Sequence, residues 1–229
     1  MVRNLAVIPA RSGSKRIKDK NIYNFKGKPL LAWTVESAVK SGVFDKVMVS
    51  TDSEKYAQIA KEYGAWVPFL RDSAFDDFAT IADVINLTVK KLENEYGEKF
   101  DNVCSLQVTC PLCNDTIIKE TYEDFLSNGS TTTATCSEFN FMNPWWAFKM
   151  TDDKQAEFLL SSPQKSRSQD NPPLYCPNGA VIINKIKFEG APVVKYHPVD
   201  WKYGVDIDTY EDIEMAEVLF EFMNKRKNV

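Results

Sequence analysis

At 229 residues the chain has the length of one large α/β domain with a substantial core. A net charge of −4, with 44% hydrophobic and 26% charged residues, fits a globular protein and lacks the basic footprint of nucleic-acid binding; no apolar run approaches the length that crosses a bilayer. No leader-like segment precedes the first apolar run, so the chain reads as cytoplasmic, and its five cysteines are expected as reduced thiols.

The first apolar run, Leu5 to Ile8, stops at Pro9 and opens into a loop with Gly13 between Ser12 and Ser14, among the cations Arg11, Lys15, Arg16 and Lys20. Pro29 to Val39 has helical spacing and Gly42 as its stop. Lys46 to Thr51 reads as a buried strand, after which Asp52 or Ser53 caps a helix ending near Gly64. Val67 to Leu70 reads as a third short strand, ending at Arg71. Thr80 to Leu92 is helical, Val103 to Gln107 strand-like, and Asp115 to Leu126 helical again. Strands alternating with helices predict an α/β fold with a doubly wound, mostly parallel sheet.

The rhythm breaks between Thr131 and Pro177. After the β-rich TTTAT run comes FNFMNPWWAFKM, with Phe139, Phe141, Trp145, Trp146 and Phe148, and then a polar tract. Two readings are open: a local hairpin packing its own aromatics, or a subunit contact, where aromatics and Met are enriched. The expected organisation is a single domain over 1–229, with 137–172 as an inserted dimerisation segment in a homodimer. Ala180 to Asn184 reads as a strand, and Thr209 caps a final helix with Asp212 at its third position and Lys225 to Lys227 at its C-terminal end.

Two stretches carry the chemistry. Gly13 permits backbone conformations that aim successive N–H groups at one point, and such a nest among cations suits a polyphosphate. Because the loop leaves the C-terminal end of a strand, it lies where open α/β sheets bind ligands. Asp206 and Asp208 flank Ile207, and residues two apart in extended chain point the same way. Paired hard oxygens beside a phosphate loop suit Mg²⁺; the plainer reading is that Asp208 helps cap the helix and Asp206 lies in a turn. Arg71 and Gln107 end strands on the same edge. Cys110 and Cys113 form a lone CxxC without a second pair, and the only histidine is His197, so buried inert thiols are expected there in place of a metal or redox site.

Ala10 to Asn21, reading A-R-x-G-S-K-x-x-x-x-K-N, resembles the signature of the cytidylyltransferases that activate acidic sugars. With VSTDSEKYAQIAKEYGAWVPFLR at 49–71, LQVTCPL at 106–112, NGAVIIN at 178–184 and DIDTYEDIEMAE at 206–217, the chain is similar to the CMP-sialic acid synthetase (acylneuraminate cytidylyltransferase) family over most of its length. The resemblance implies that CMP passes from CTP to the anomeric hydroxyl of a nine-carbon acidic keto-sugar, sialic acid or a bacterial relative such as legionaminic acid, with loss of pyrophosphate. It implies a nucleotide site at Ala10, Arg11, Ser12, Gly13, Ser14, Lys20, Asn21 and Arg71. It further implies an acceptor site at Gln107, Arg167, Asn178 and Gly179, with Ser168 competing with Arg167 in the alignment. Catalysis falls to Arg11, Lys20, Asp206 and Asp208, the last two holding Mg²⁺. An exchanged hairpin is expected to complete each pocket of the dimer.

The chain departs from the family pattern where a cation is usual, at Cys113, and where an aromatic is usual, at Ile182. A Kdo cytidylyltransferase and a non-catalytic nucleotide-binding relative are the alternatives. Neither nucleic acid nor membrane is expected as a partner.

Overall fold

In a computed structural model of the chain, which describes residues 2–71, 80–139, 142–160, 167 and 170–227, Leu5 and Val7 face one side of the first strand and Ala6 and Ile8 the other. All four are 0% exposed. Alternate side chains of a strand point to opposite faces, so a strand apolar at every position must be covered on both. One cover is a cluster of Leu5, Val7, Met48, Ile85, Leu92 and Val103; the other is the larger core that includes Ala6, Ile8, Leu31, Val35, Ile118 and Ile213. Each fully buried aliphatic side chain contributes about 1.5–3 kcal/mol.

In chain order the elements are β1 (Asn4–Pro9), β2 (Asn24–Phe25), β3 (Lys28–Pro29), α1 (Leu30–Ser41), β4 (Lys46–Ser50), α2 (Glu54–Glu62), α3 (Ile81–Tyr96), β5 (Asn102–Leu106), α4 (Asp115–Ser127), β6 (Thr132–Glu138), β7 (Phe148–Met150), β8 (Ala156–Phe158), β9 (Tyr175–Lys185), β10 (Val194–Pro198) and α5 (Tyr210–Lys227). Six strands form the central sheet in the order β10-β6-β9-β5-β1-β4. β1 pairs in parallel with β4 and β5, and β10 with β6, whereas β9 runs against both its neighbours. The sheet is thus mostly parallel and doubly wound, as the alternation predicts. From β1 the chain moves to β4 on one side and later to β5 on the other, and ligand crevices open at such a reversal of strand order.

Local chemistry sets the element ends. Gly42 closes α1 at φ 68°; Ser53 caps α2 by accepting the Tyr56 N–H at 3.4 Å. Thr80 and Asp83 make a reciprocal capping box on α3. At α5 the Asp212 carboxylate accepts the Asp208 N–H at 2.9 Å and the Thr209 N–H at 2.7 Å.

The structure differs from expectation in three places. The segment 67–70 is not a strand: only Trp66 bridges to Met48, because Pro68 has no N–H to give a ladder. β9 begins five residues before the expected Ala180, since a register shift between Ala134 and Cys136 lets Pro177 and Gly179 lie inside a paired strand. β10, an edge strand, carried too little apolar periodicity to be foreseen. In the 137–172 insertion, β7 and β8 pair as a hairpin, with Phe148 and Phe158 rings 5.6 Å apart. Asn140, Phe141 and Ser168 lie outside the described residues.

Candidate active site

The loop leaving β1 turns at Gly13, whose φ is 75°, with open space where a Cβ would stand. Its base is closed by the buried Asn21, whose amide donates to Arg11 O at 2.8 Å. At its start, the Ser12 N–H donates to Asp52 Oδ1 at 2.7 Å and the Ser12 hydroxyl to Asp52 Oδ2 at 2.9 Å. At its end, Asp19 adopts φ 52° and accepts the Tyr56 hydroxyl at 2.9 Å. The loop is a built object tied to the strand–helix unit beside it.

Beneath it opens a cleft of about 450 Å³. Arg11, Ser14, Lys20, Asn21, Arg71, Gln107 and Asp208 all line it, so the fold gathers most of the expected site residues. Lys15 and Arg16 also line it, giving a strongly cationic cleft in a chain of net charge −4. Low-dielectric walls focus such a field on an anionic ligand. Ala10 is fully buried at the strand end, and Ser12 and Gly13 shape the loop without lining the cleft. Ile81 and Val84, from the first turn of α3, supply an apolar wall that sequence reasoning placed only on a helix.

Arg71 follows the irregular segment after Trp66 and is anchored by its N–H to Thr51 O at 2.7 Å. Burial pushes its pKa down, Asp52 pushes it back up, and neighbouring Arg11 lowers it again; a guanidinium stays charged regardless. Asp52 feels burial as an upward push, but the two bonds from Ser12 outweigh it and hold the carboxyl below its ordinary range.

The acidic pair arrives from the other end of the chain. Ile207, fully buried, donates its N–H to Thr109 O at 2.8 Å and fixes the segment against the end of β5. Asp206 and Asp208 flank it, the first exposed and the second partly so. Lys20 Nζ reaches Ile207 O at 2.8 Å and Asp208 Oδ1 at 2.9 Å, and Arg16 pairs with the other Asp208 oxygen. The hydrogen bond from Lys20 is the main reason the Asp208 carboxyl titrates low; burial opposes it and Arg16 adds to it. The Asp208 side chain is thus engaged by cations, while Thr209 and Asp212 cap the helix reciprocally, the Thr209 hydroxyl accepting the Asp212 N–H and the Asp212 carboxylate accepting the Thr209 N–H.

Asp206 and Asp208 offer hard carboxylate oxygens of the kind a divalent cation takes, although Asp208 is paired with Lys20 and Arg16 and Asp206 does not line the cleft. Among the described residues no group of three or more His, Cys, Asp or Glu side chains converges. An ion on Asp206 and Asp208 would therefore draw its remaining ligands from phosphate oxygens and water, the habit of Mg²⁺.

Of the residues expected to meet the acceptor, Gln107 donates through Nε2 to Gly179 O at 3.2 Å. Gly179 has φ 70°, and a Cβ there would stand 2.7 Å from Gln107 Nε2, so only glycine leaves that amide in place. Asn178 is committed within the sheet: its Oδ1 accepts the Thr135 hydroxyl at 2.5 Å and the Ala180 N–H at 3.2 Å, and its Nδ2 donates to Ser137 at 2.9 Å. Arg167 does not line the cleft. Its side chain is 82% exposed and pairs with Asp170 at 3.2 Å.

Cys110 and Cys113 are buried free thiols, Cys113 donating its N–H to Cys110 O in a turn. Burial pushes Cys113 up to about 12 and Cys110 likewise upward. Cys113 belongs to the core cluster, so the position where the family has a cation does not face this cleft.

The family model "Cytidylyltransferase" matches residues 5–189. Over 227 residues the chain is 37% identical to "Pseudaminic acid cytidylyltransferase" of Campylobacter jejuni, covering 96% of this chain and 97% of that one. It is 33% identical over 232 residues to "CMP-N,N'-diacetyllegionaminic acid synthase" of Legionella pneumophila, with 96% and 97% covered. With "N-acylneuraminate cytidylyltransferase" of Streptococcus agalactiae it shares 31% over 237 residues, 99% of this chain and 56% of that one. Among solved structures, CMP:2-keto-3-deoxy-manno-octonic acid synthetase complexed with CTP superposes with a TM-score of 0.69 at 15% identity over 96% of this chain and 99% of that one, a likeness of fold. Resting on the match over 5–189 and on relatives of the chain's own length, the assignment is that this protein belongs to the cytidylyltransferase family and is a nucleotidyltransferase.

Proposed function

We propose that the protein transfers CMP from CTP to the anomeric hydroxyl of a nine-carbon acidic keto-sugar of the nonulosonate class, releasing pyrophosphate. The observation that carries this reading is the junction made by Lys20: one ammonium joins the cationic first loop to the Asp206–Asp208 segment across the mouth of the cleft. Triphosphate binds where Arg11, Lys15 and Lys20 converge, with Arg71 toward the nucleoside end and Gln107 toward the acceptor. Attack on the α-phosphorus sends negative charge onto the departing pyrophosphate, and fixed cations already aimed at that position stabilise it without reorganisation. Mg²⁺ held by Asp206 and Asp208 would supply further charge neutralisation and orientation of the phosphates. The only histidine, His197, lies 3.1 Å from Asp124 on the edge strand and does not line the cleft, so no imidazole base is positioned there.

The relatives at 31–37% identity carry names of nonulosonate enzymes, which supports this acceptor class over Kdo; the Kdo-type structure, at 15%, supports the fold alone. We further propose a cytoplasmic homodimer joined through the 137–172 insertion, with Arg167 reaching the partner's acceptor site. Exposed Phe148, Met150, Phe158 and Leu159 on the hairpin support an interface there. No helix among the described residues is long and apolar enough to cross a membrane.

The test is pyrophosphate release from CTP and Mg²⁺ with a panel of acids: N-acetylneuraminate, legionaminate, pseudaminate and Kdo. Turnover with at least one nine-carbon acid is expected. Turnover with Kdo alone makes the protein a Kdo enzyme, and none with any acid, despite CTP binding, makes it a non-catalytic relative.

A further inference from the structure

The chain leaving β4 touches the cationic loop at two points. Asp52 accepts both the N–H and the hydroxyl of Ser12, at 2.7 and 2.9 Å, and Tyr56, in the first turn of α2, donates its hydroxyl to Asp19 at 2.9 Å. Ser12 adjoins Arg11 and Asp19 adjoins Lys20, so each contact sits one residue from a cation of the cleft. The support is rigid. Tyr56 is 1% exposed, its N–H is held by the Ser53 cap, and α2 packs its Ala57 and Ala60 into the main core.

We propose that Asp52 and Tyr56 are positioning residues for nucleotide binding, a two-point clamp that fixes both ends of the loop from Ser12 to Asp19 and so sets where Arg11 and Lys20 stand before CTP arrives. This rests on the reading of the loop as the CTP site given above. Three features point to the clamp. Asp52 places a carboxylate beside an anion site, which opposes triphosphate binding unless its charge is committed elsewhere; here both oxygens are committed to Ser12. Asp19 holds φ 52°, a conformation that non-glycine residues adopt seldom, and the Tyr56 hydroxyl gives it a partner in that state. Between the two contacts Lys15, Arg16 and Lys18 are exposed and only Ile17 is fully buried, in the main core, so one apolar anchor holds the middle of the loop and the two hydrogen-bonded contacts hold its ends. Ordering a loop during folding removes that entropy cost from the binding step.

The experiment measures CTP and inorganic pyrophosphate affinity by titration calorimetry, kcat and KM for CTP, and thermal unfolding, for wild type, Tyr56→Phe, Asp52→Ala, Asp52→Asn and the double variant Asp52→Ala/Tyr56→Phe. Tyr56→Phe keeps the ring in the core and removes only the hydroxyl. Each single loss is expected to raise Kd and KM for CTP about three- to tenfold, the scale of one net hydrogen bond, with a smaller change in kcat. Asp52→Asn, which keeps an acceptor for Ser12, should recover part of the loss. The double variant should weaken binding by more than the product of the two singles, because either contact alone still holds one end of the loop. Variants that melt earlier but bind CTP as the wild type does would show a merely structural role and overturn the clamp. Singles that simply multiply would overturn its two-point character. A wild type that binds neither CTP nor pyrophosphate would overturn the nucleotide reading itself, a result separate from either.

Discussion

Lys20 and Asp208 are 188 residues apart in the chain and 2.9 Å apart in the fold. The ammonium is only 14% exposed, while the carboxylate, at 47%, remains reachable from the cleft. The first loop and the start of the last helix therefore form one electrostatic unit. Replacing Lys20 with Ala is expected to weaken CTP binding or slow turnover by about one to several powers of ten, the scale of lost preorganised charge at a phosphate. Asp206→Ala should remove most turnover with little change in melting temperature, because Asp206 is exposed and outside the core. Steady-state kinetics with circular dichroism check both; near-normal rates at saturating Mg²⁺ would remove these residues from the mechanism.

Gly179→Ala tests the acceptor side. An L-residue at φ 70° costs about 1–2 kcal/mol, and the new methyl would displace the Gln107 amide from 2.7 Å. The acceptor KM should rise by about tenfold or more while CTP affinity, measured separately, stays within about twofold. Equal loss of both would mean that the substitution disturbs the sheet as a whole.

The Asp212 cap gives a pH signature. Burial raises its pKa, but the Asp208 and Thr209 N–H groups and the Thr209 hydroxyl win and hold it below its ordinary 3.8. A group with a lowered folded pKa stabilises fully above its unfolded value and loses that contribution as pH falls through the folded one. Wild type should therefore melt above Asp212→Asn at pH 5 and higher, and the gap should narrow as pH falls through the lowered folded pKa. A gap independent of pH would remove the carboxylate charge from the cap.

Thiol reactivity should separate one cysteine from four. Cys176 is exposed, whereas Cys104, Cys110, Cys113 and Cys136 are buried, and burial pushes the pKa of all four upward. A thiol reagent on the native protein should label one site per chain quickly and the rest only on unfolding. Stoichiometric zinc in purified protein would contradict the inert reading of Cys110 and Cys113.

The hairpin's exposed side chains test the proposed dimer interface. Trp145 and Trp146 are half-buried within the chain, the Trp145 indole donating to Pro172 O at 3.0 Å, while Met150 and Phe158 are 67% and 40% exposed. Changing Met150 and Phe158 to Asp should lower dimer content, read by light scattering at low micromolar concentration, and reduce acceptor turnover with it, while CTP binding largely survives. Changing both tryptophans to polar residues should do the same with an added loss of hairpin stability. A fully active wild-type monomer would end the dimer proposal.

By itself the sequence determined the periodic elements and the local chemistry. The continuous apolar run of β1, the Gly42 stop, the Thr80 and Thr209 caps and the strand-end position of Gln107 follow from interactions within a few residues, and they emerged as read, whereas Arg71 follows an irregular segment in place of the expected strand. Long-range pairing was decided only in the tertiary structure. The strand expected from Ala180 starts at Tyr175 because a shift on the neighbouring strand makes room for Pro177 and Gly179, and β10 pairs along β6 at the edge of the sheet. Asp52 read as a possible helix cap, since Ser53 beside it is equally suited; the fold gives the cap to Ser53 and turns Asp52 toward Ser12, 40 residues earlier. Likewise Asp208 read as a cap or a ligand until Lys20 and Arg16 arrived from the first loop. A side chain's local options are written in its neighbours along the chain, but the choice among them depends on charges and hydrogen-bond partners that only folding brings within reach.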